Sequence, residues 1–103
     1  MMLSDKDRAF MQEGAGKAAA LLRAIGNEHR LLILCLLIEF EELSVGSMME
    51  YTQLSQSAFS QHLSKMREEG LVSYRRESQT LYYRIENTDV KKLIAPLKDI
   101  FCP

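Results

Sequence analysis

Apolar positions recur at helical spacing over most of the chain. From about Asp5 to Ile25 the sequence is Ala-rich, with Phe10, Gly14, Ala18, Leu21 and Ile25 on one stripe, as in an amphipathic helix whose small residues allow close packing. Gly26 predicts its stop and Asn27 the cap of a second helix, near Glu28 to Phe40, apolar almost all round in LLILCLLI. A helix without a polar face belongs at the centre of a core. Ser44 then caps a short third helix, near Val45 to Tyr51, and Thr52 to Leu54 makes a turn. Ser55 opens a fourth helix of about 14 residues, which Gly70 ends in a left-handed conformation. Within it Phe59, Leu63 and Met66 fall at i, i+4 and i+7, flanked by Ala58 and His62, giving a stripe for docking onto the core.

After Gly70 the period changes to two. LVSYRRESQTLYYRIE alternates as two strands, roughly Val72 to Arg76 and Leu81 to Ile85, joined through Glu77, Ser78, Gln79 and Thr80. Asn87 or Thr88 caps a last helix with Val90, Leu93, Leu97 and Ile100 on its apolar stripe. Pro96 lies inside that helix, where it removes a backbone bond and predicts a kink near Lys92 to Ala95. The order α-α-α-α-β-β-α, mainly α with a small β-hairpin, is a winged helix-turn-helix pattern. The first and last helices carry apolar surface in excess of one small core. A homodimer through Phe10, Ala18, Leu21, Val90, Leu93, Leu97 and Ile100 is therefore expected, with intrachain burial as the alternative.

The outer face of the fourth helix is polar and mostly uncharged. Gln56, Ser57, Ser60, Gln61 and Ser64 lie there, and amides and hydroxyls can bond both base edges and phosphate oxygens. Lys65 and Arg67 add positive charge toward the helix end. An ordinary solvated face would also be rich in Gln and Ser; the basic hairpin that follows shifts the balance toward DNA.

The bulk numbers narrow the options. At 103 residues the chain is expected to be one domain, 1–103, and its net charge of −1 with a pI near 6.1 excludes a generally basic coat, so DNA binding needs a local patch. From Gln61 to Arg84 five bases face three acids, a net +2 that leaves −3 elsewhere. Glu39, Glu41, Glu42 and Glu50 form an acidic block with no base between them, a face that phosphate should repel. No apolar run is long enough to span a membrane and the N-terminus lacks a signal-peptide pattern, which predicts a cytoplasmic protein with no membrane partner. Catalysis is not expected, because CxxC, a Gly-rich phosphate loop and a nucleophile elbow are all missing.

On NEHRLLILCLL at 27–37, ELSVGSM at 42–48, LSQSAFSQHLSKMREEGLV at 54–72 and YRRESQTLYYRI at 74–85, the chain resembles the ArsR/SmtB family of bacterial winged-helix repressors over nearly its whole length. The resemblance implies a homodimer that places two recognition helices in successive major grooves of double-stranded operator DNA, an AT-rich imperfect palindrome. It implies no catalysis, and no cofactor is expected. By position, Ser55, Gln56, Ser57, Ser60, Gln61 and His62 lie nearest the DNA, with Lys65 and Arg67 behind them and Arg75, Arg76 and Gln79 on the wing. His62 fits equally well as a half-buried residue packed under the helix.

Many members of that family sense metals. Their third-helix cysteines correspond to Ser44 and Gly46 here, and the last helix offers only Asp89 and Asp99 among Lys91, Lys92 and Lys98. His29 and His62 stand apart in the sequence, so no metal is expected. The thiols are Cys35, in the second helix, and Cys102, next to last. Both fit reduced residues, Cys35 as a small core hydrophobe. Their placement also resembles the dithiol pattern of the sulfide- and redox-responsive branch of the family. That resemblance implies joining of Cys35 and Cys102 by reactive sulfur species or oxidant, as a disulfide or polysulfide. Two other functions compete: a constitutive regulator or anti-repressor with passenger thiols, and a protein-interaction module using the acidic block.

Overall fold

Side-chain caps begin most of the helices; those at Asn27, Ser44, Ser55 and Asn87 were legible in the chain, whereas the cap at Ser4, which accepts from Asp7 N, was not. In the computed structural model, which describes residues 2–101, Asn27 Oδ1 accepts the amides of His29 and Arg30 at 2.9 and 3.2 Å. Ser44 Oγ accepts that of Ser47, Ser55 Oγ that of Ala58, and Asn87 Oδ1 that of Asp89, at 2.9–3.1 Å. Each bond satisfies an amide that the first helical turn leaves without a partner. The resulting order is α1 (Asp5–Ala9), a π-helical turn (Phe10–Gly14), α2 (Ala15–Ile25), α3 (Glu28–Phe40), β1 (Leu43–Ser44), α4 (Val45–Met49), α5 (Gln56–Glu68), β2 (Val72–Glu77), β3 (Thr80–Ile85) and α6 (Thr88–Phe101).

Three elements differ from expectation. The first helix is not uniform: Ala15 N–H bonds to Phe10 O, five residues back, and the Phe10 ring lies so close to Gly14 that a Cβ there would meet it at 3.0 Å. The third helix stops at Met49, two residues early, because Glu50 and Tyr51 donate to carbonyls three residues back, a tightened final turn. The hairpin loop is two residues, with Glu77 paired to Thr80 and Ser78 at φ 57°. A further strand, β1, pairs antiparallel with β3 through Leu43–Tyr83 and Ser44–Tyr82, so the sheet order is β1-β3-β2.

The core forms around α3, whose Ile33, Leu34, Leu36 and Leu37 are buried with Phe59, Leu63 and Met66 of α5 and Ile25, Met48, Leu71, Val72, Tyr83 and Ile85. Burying each of the three α5 side chains contributes about 1.5–3 kcal/mol of transfer free energy, which docks that helix by its apolar stripe. Gly70, at φ +77°, permits the sharp exit from α5; Leu71 N then bonds Met66 O at 2.9 Å.

On α6 the apolar stripe is wider than the core face. Val90 and Ile94 are fully buried, whereas Leu93, Leu97 and Ile100 stay exposed. Val90 is thus a correction to the expected interface: its surface is already covered within its own chain. The helix continues through Pro96 to Phe101. Asp5 to Glu13 are exposed throughout, leaving Phe10 and Met11 in solvent, as is Leu22 of α2. Ala18 and Leu21 are half-buried. No helix among the described residues is long and apolar enough to cross a membrane.

Candidate nucleic-acid interface

The recognition helix, α5, is held from behind and left open in front. Behind it Arg30 of α3, mostly covered, donates from Nη1 to Ala24 O at 2.7 Å and to Glu69 Oε2 at 3.2 Å. This pair joins the α2–α3 corner to the end of α5. In front, Ser57, Ser60, Gln61, Ser64 and Lys65 line one shallow depression with Glu68. A second cleft, about 480 Å³, brings Gln56 and Ser60 of α5 opposite Gln79 and Thr80 of the hairpin, with Ser44 to Gly46 at its floor. Helix and wing therefore line one cleft together, with Val45 and Leu81 beside the polar side chains. Ser44, Gly46 and Thr80 were not predicted there; Ser44 was read as a cap and, with Gly46, as a position where metal-sensing relatives carry cysteine.

Positive charge is distributed unevenly over this surface. Lys65, Arg67, Arg76 and Arg84 make no ion pair among the described residues. Lys65 and Arg76 are exposed, Arg67 lies over the Tyr74 ring at 5.0 Å, and Arg84 Nε donates to Ser73 Oγ at 3.3 Å. Arg75, expected at the DNA, is engaged elsewhere. It pairs with Glu42 and with Glu77 at 2.7 Å and stacks over Tyr82 at 4.6 Å. Hydrogen bonds to Glu42 and then Glu77 raise its pKa, and the same Arg75 bond holds the Glu42 carboxyl below its ordinary range. A guanidinium matched by two carboxylates offers little net field to a phosphate. Arg75 thus pins the wing to the segment before β1, and Glu42 leaves the acidic block to do so.

His62 faces inward. Its ring is half-buried and lies 5.6 Å from that of His29, centroid to centroid, so the two histidines meet in the fold although they stand apart in the sequence. Burial first, then the charges of Arg30, His29 and Lys65, push the His62 imidazole below its ordinary pKa. Among the described residues no group of three or more His, Cys, Asp or Glu side chains could hold a metal. Cys35 is half-buried against the core; Cys102 lies outside the described residues.

A helix anchored by its apolar stripe, polar in front and flanked by a basic two-stranded wing, defines a winged helix-turn-helix DNA-binding protein. Residues 27–74 match the family described as bacterial regulatory protein, arsR family. The chain is 47% identical over 92 residues to the transcriptional activator HlyU of Vibrio cholerae, covering 89% of this chain and 84% of that one. It is 46% identical over 95 residues to the HTH-type transcriptional regulator YgaV of Escherichia coli, covering 92% and 96%. Among solved structures, reduced HlyU from Vibrio cholerae superposes with a TM-score of 0.85 at 45% identity over 92% of this chain and 99% of that one. The transcriptional repressor BigR from Xylella fastidiosa does so with 0.83 at 32%, over 98% and 99%. The chain belongs to the ArsR family, and it is a DNA-binding transcriptional regulator rather than an enzyme.

Proposed function

We propose that this regulator is a homodimeric repressor whose binding to an AT-rich, imperfectly palindromic operator is switched by reactive sulfur species or oxidant acting on Cys35 and Cys102. The observation that carries the switch is the packing of α3 against α6. Lys98 Nζ of α6 lies 2.7 Å from Glu39 Oε2 of α3, and each cysteine stands four residues from one member of that pair. Repression follows the sign in BigR's name; HlyU is named an activator.

Dimerisation uses the apolar surface that the monomer leaves in solvent: Phe10, Met11 and Leu22 on the N-terminal helices, and Leu93, Leu97, Ile100 and Phe101 on α6, with Ala18 and Leu21 beside them. Ser55, Gln56, Ser57, Ser60 and Gln61 read and position the DNA, and Lys65, Arg67, Arg76 and Gln79 contact its backbone. Glutathione persulfide passes its outer sulfur to a thiolate and leaves as glutathione. Two such cysteine persulfides condense to a trisulfide with release of hydrogen sulfide. Peroxide instead takes two electrons and two protons from the thiols, giving a disulfide and two waters. A direct disulfide needs Cα atoms within roughly 7 Å; the longer bridge relaxes that condition. Tying α3 to α6 changes the angle between subunits and misplaces the paired helices. A 100-fold loss of affinity requires only about 2.7 kcal/mol.

The test is intact mass and operator affinity of the reduced protein before and after glutathione persulfide or peroxide. A link within one chain, accompanied by lost affinity and abolished in Cys102→Ser, is the expected result. Unchanged affinity in the linked protein, or no link, makes the chain a constitutive regulator.

A further inference from the structure

The far end of α3 and of α4 carries an aromatic pair that DNA binding does not use. Phe40, the last residue of α3, is 48% exposed and Tyr51, two residues past α4, is 52% exposed. Their rings lie 6.3 Å apart, inclined at 39°. Large apolar side chains left together in solvent mark contact surfaces more often than single exposed ones do. This pair is set among carboxylates: Glu39 and Glu41 flank Phe40 and Glu50 precedes Tyr51. Glu39 is committed to Lys98 and Glu42 to Arg75. Glu41 and Glu50 make no ion pair among the described residues. Glu41 occupies a tight turn at φ 64°, closed by Glu42 N donating to Phe40 O at 2.6 Å, and this corner ends α3 beside the pair.

We infer that the Phe40–Tyr51 pair and its two uncommitted carboxylates form a docking surface for an arginine-bearing basic segment of a partner protein. The argument is charge complementarity on an aromatic platform. A guanidinium is weakly hydrated and stacks on aromatic faces while its N–H groups bond carboxylates. The same carboxylates repel nucleic acid and anionic lipid, which excludes both as occupants. None of Phe40, Glu41, Glu50 and Tyr51 is among the α5 and wing side chains assigned to DNA, so operator binding is expected to leave the pair open to a partner.

The experiment uses 15N-labelled reduced full-length protein, free and on operator DNA, titrated with acetyl-Leu-Arg-Ala-Arg-Leu-amide and with versions carrying Lys or Glu in place of Arg. The expected result is saturable amide shifts centred on Phe40, Glu41, Glu50 and Tyr51. Affinity should follow the order Arg, Lys, Glu, with the last not binding. Combined Glu41→Gln and Glu50→Gln should weaken the Arg peptide by about tenfold or more, as loss of two charge-assisted bonds requires, with operator affinity unchanged. Tyr51→Ala should weaken it independently of charge. Absence of shifts at millimolar peptide overturns the inference, as does binding that ignores these substitutions. Shifts of the same amides on diluting the protein alone would also overturn it, by showing that a second copy of the chain covers the pair.

Discussion

Gln61 and Leu63 stand two residues apart on α5 and face opposite ways, so truncating each should have effects that do not overlap. Leu63 is 1% exposed within the core cluster. Leu63→Ala removes buried methyl groups and leaves a cavity, at a cost of about 2–5 kcal/mol. For a domain of this size each kcal/mol is worth roughly 4–8 °C in Tm, so a fall of about 8 °C at the very least is expected. Gln61 is exposed in the depression with Ser57, Ser60, Ser64 and Lys65, and Gln61→Ala should change stability by no more than about 0.5 kcal/mol. Its loss should appear in operator affinity instead. A side chain that bonds a base edge is worth about 1–3 kcal/mol of discrimination, which is roughly a 5- to 150-fold weakening together with altered base preference. Thermal unfolding at fixed protein concentration, and titration of operator and scrambled duplexes by each variant, read both quantities. Intact operator affinity and base preference in Gln61→Ala would remove the helix's outer face from the recognition surface. A Tm unchanged by Leu63→Ala would refute the docking of α5 by its apolar stripe.

Other consequences follow from the same geometry. Arg76→Ala should weaken binding to all sequences and reduce the slope of log affinity against log salt by about one; Arg75→Ala, whose charge is matched by Glu42 and Glu77, should change that slope much less, and equal slopes would contradict the assignment. Asn27→Ala should cost about 1 kcal/mol, since its side chain caps two amides of α3, as read by urea denaturation. The depressed pKa of His62 fixes a sign for pH. Above its ordinary value of 6.5 the imidazole is neutral in both folded and unfolded chains. Below that value the unfolded chain binds the proton first, so stability falls as pH drops through the lower folded value and then levels off. His62→Gln should remove this part of the acid sensitivity; an identical pH profile in the variant would show that other groups cause it.

The sequence predicted what depends on neighbours along the chain. Caps at Asn27, Ser44 and Ser55, the α5 stripe of Phe59, Leu63 and Met66, and the hairpin after Gly70 all follow from local spacing and local hydrogen bonding. What stayed hidden depends on contacts between distant segments. β1 is two residues long, too short to show alternation, and exists because Leu43 and Ser44 reach the edge of β3. Glu42 and Arg75 lie 33 residues apart, so the acidic block gave no sign that one member would neutralise a wing arginine. The meeting of His29 and His62 has the same origin. On α6 a period of 3.6 identified an apolar face but could not divide it between core and solvent: Val90 and Leu93 share the stripe, and only packing against α3 separates them. Phe40 and Tyr51 likewise read as the ends of two separate helices, and nothing in the spacing of either showed that their rings would meet.

The central claim is that α5 and the wing together recognise a symmetric operator. Its most direct test is selection from a random-sequence duplex pool with the reduced protein, followed by affinity for the enriched sequence over a series of salt concentrations. The expected outcome is an imperfect palindrome with half-sites about one helical turn apart, bound with an affinity that falls linearly on a log–log salt plot. Failure to enrich any sequence, together with binding indifferent to salt, would contradict it.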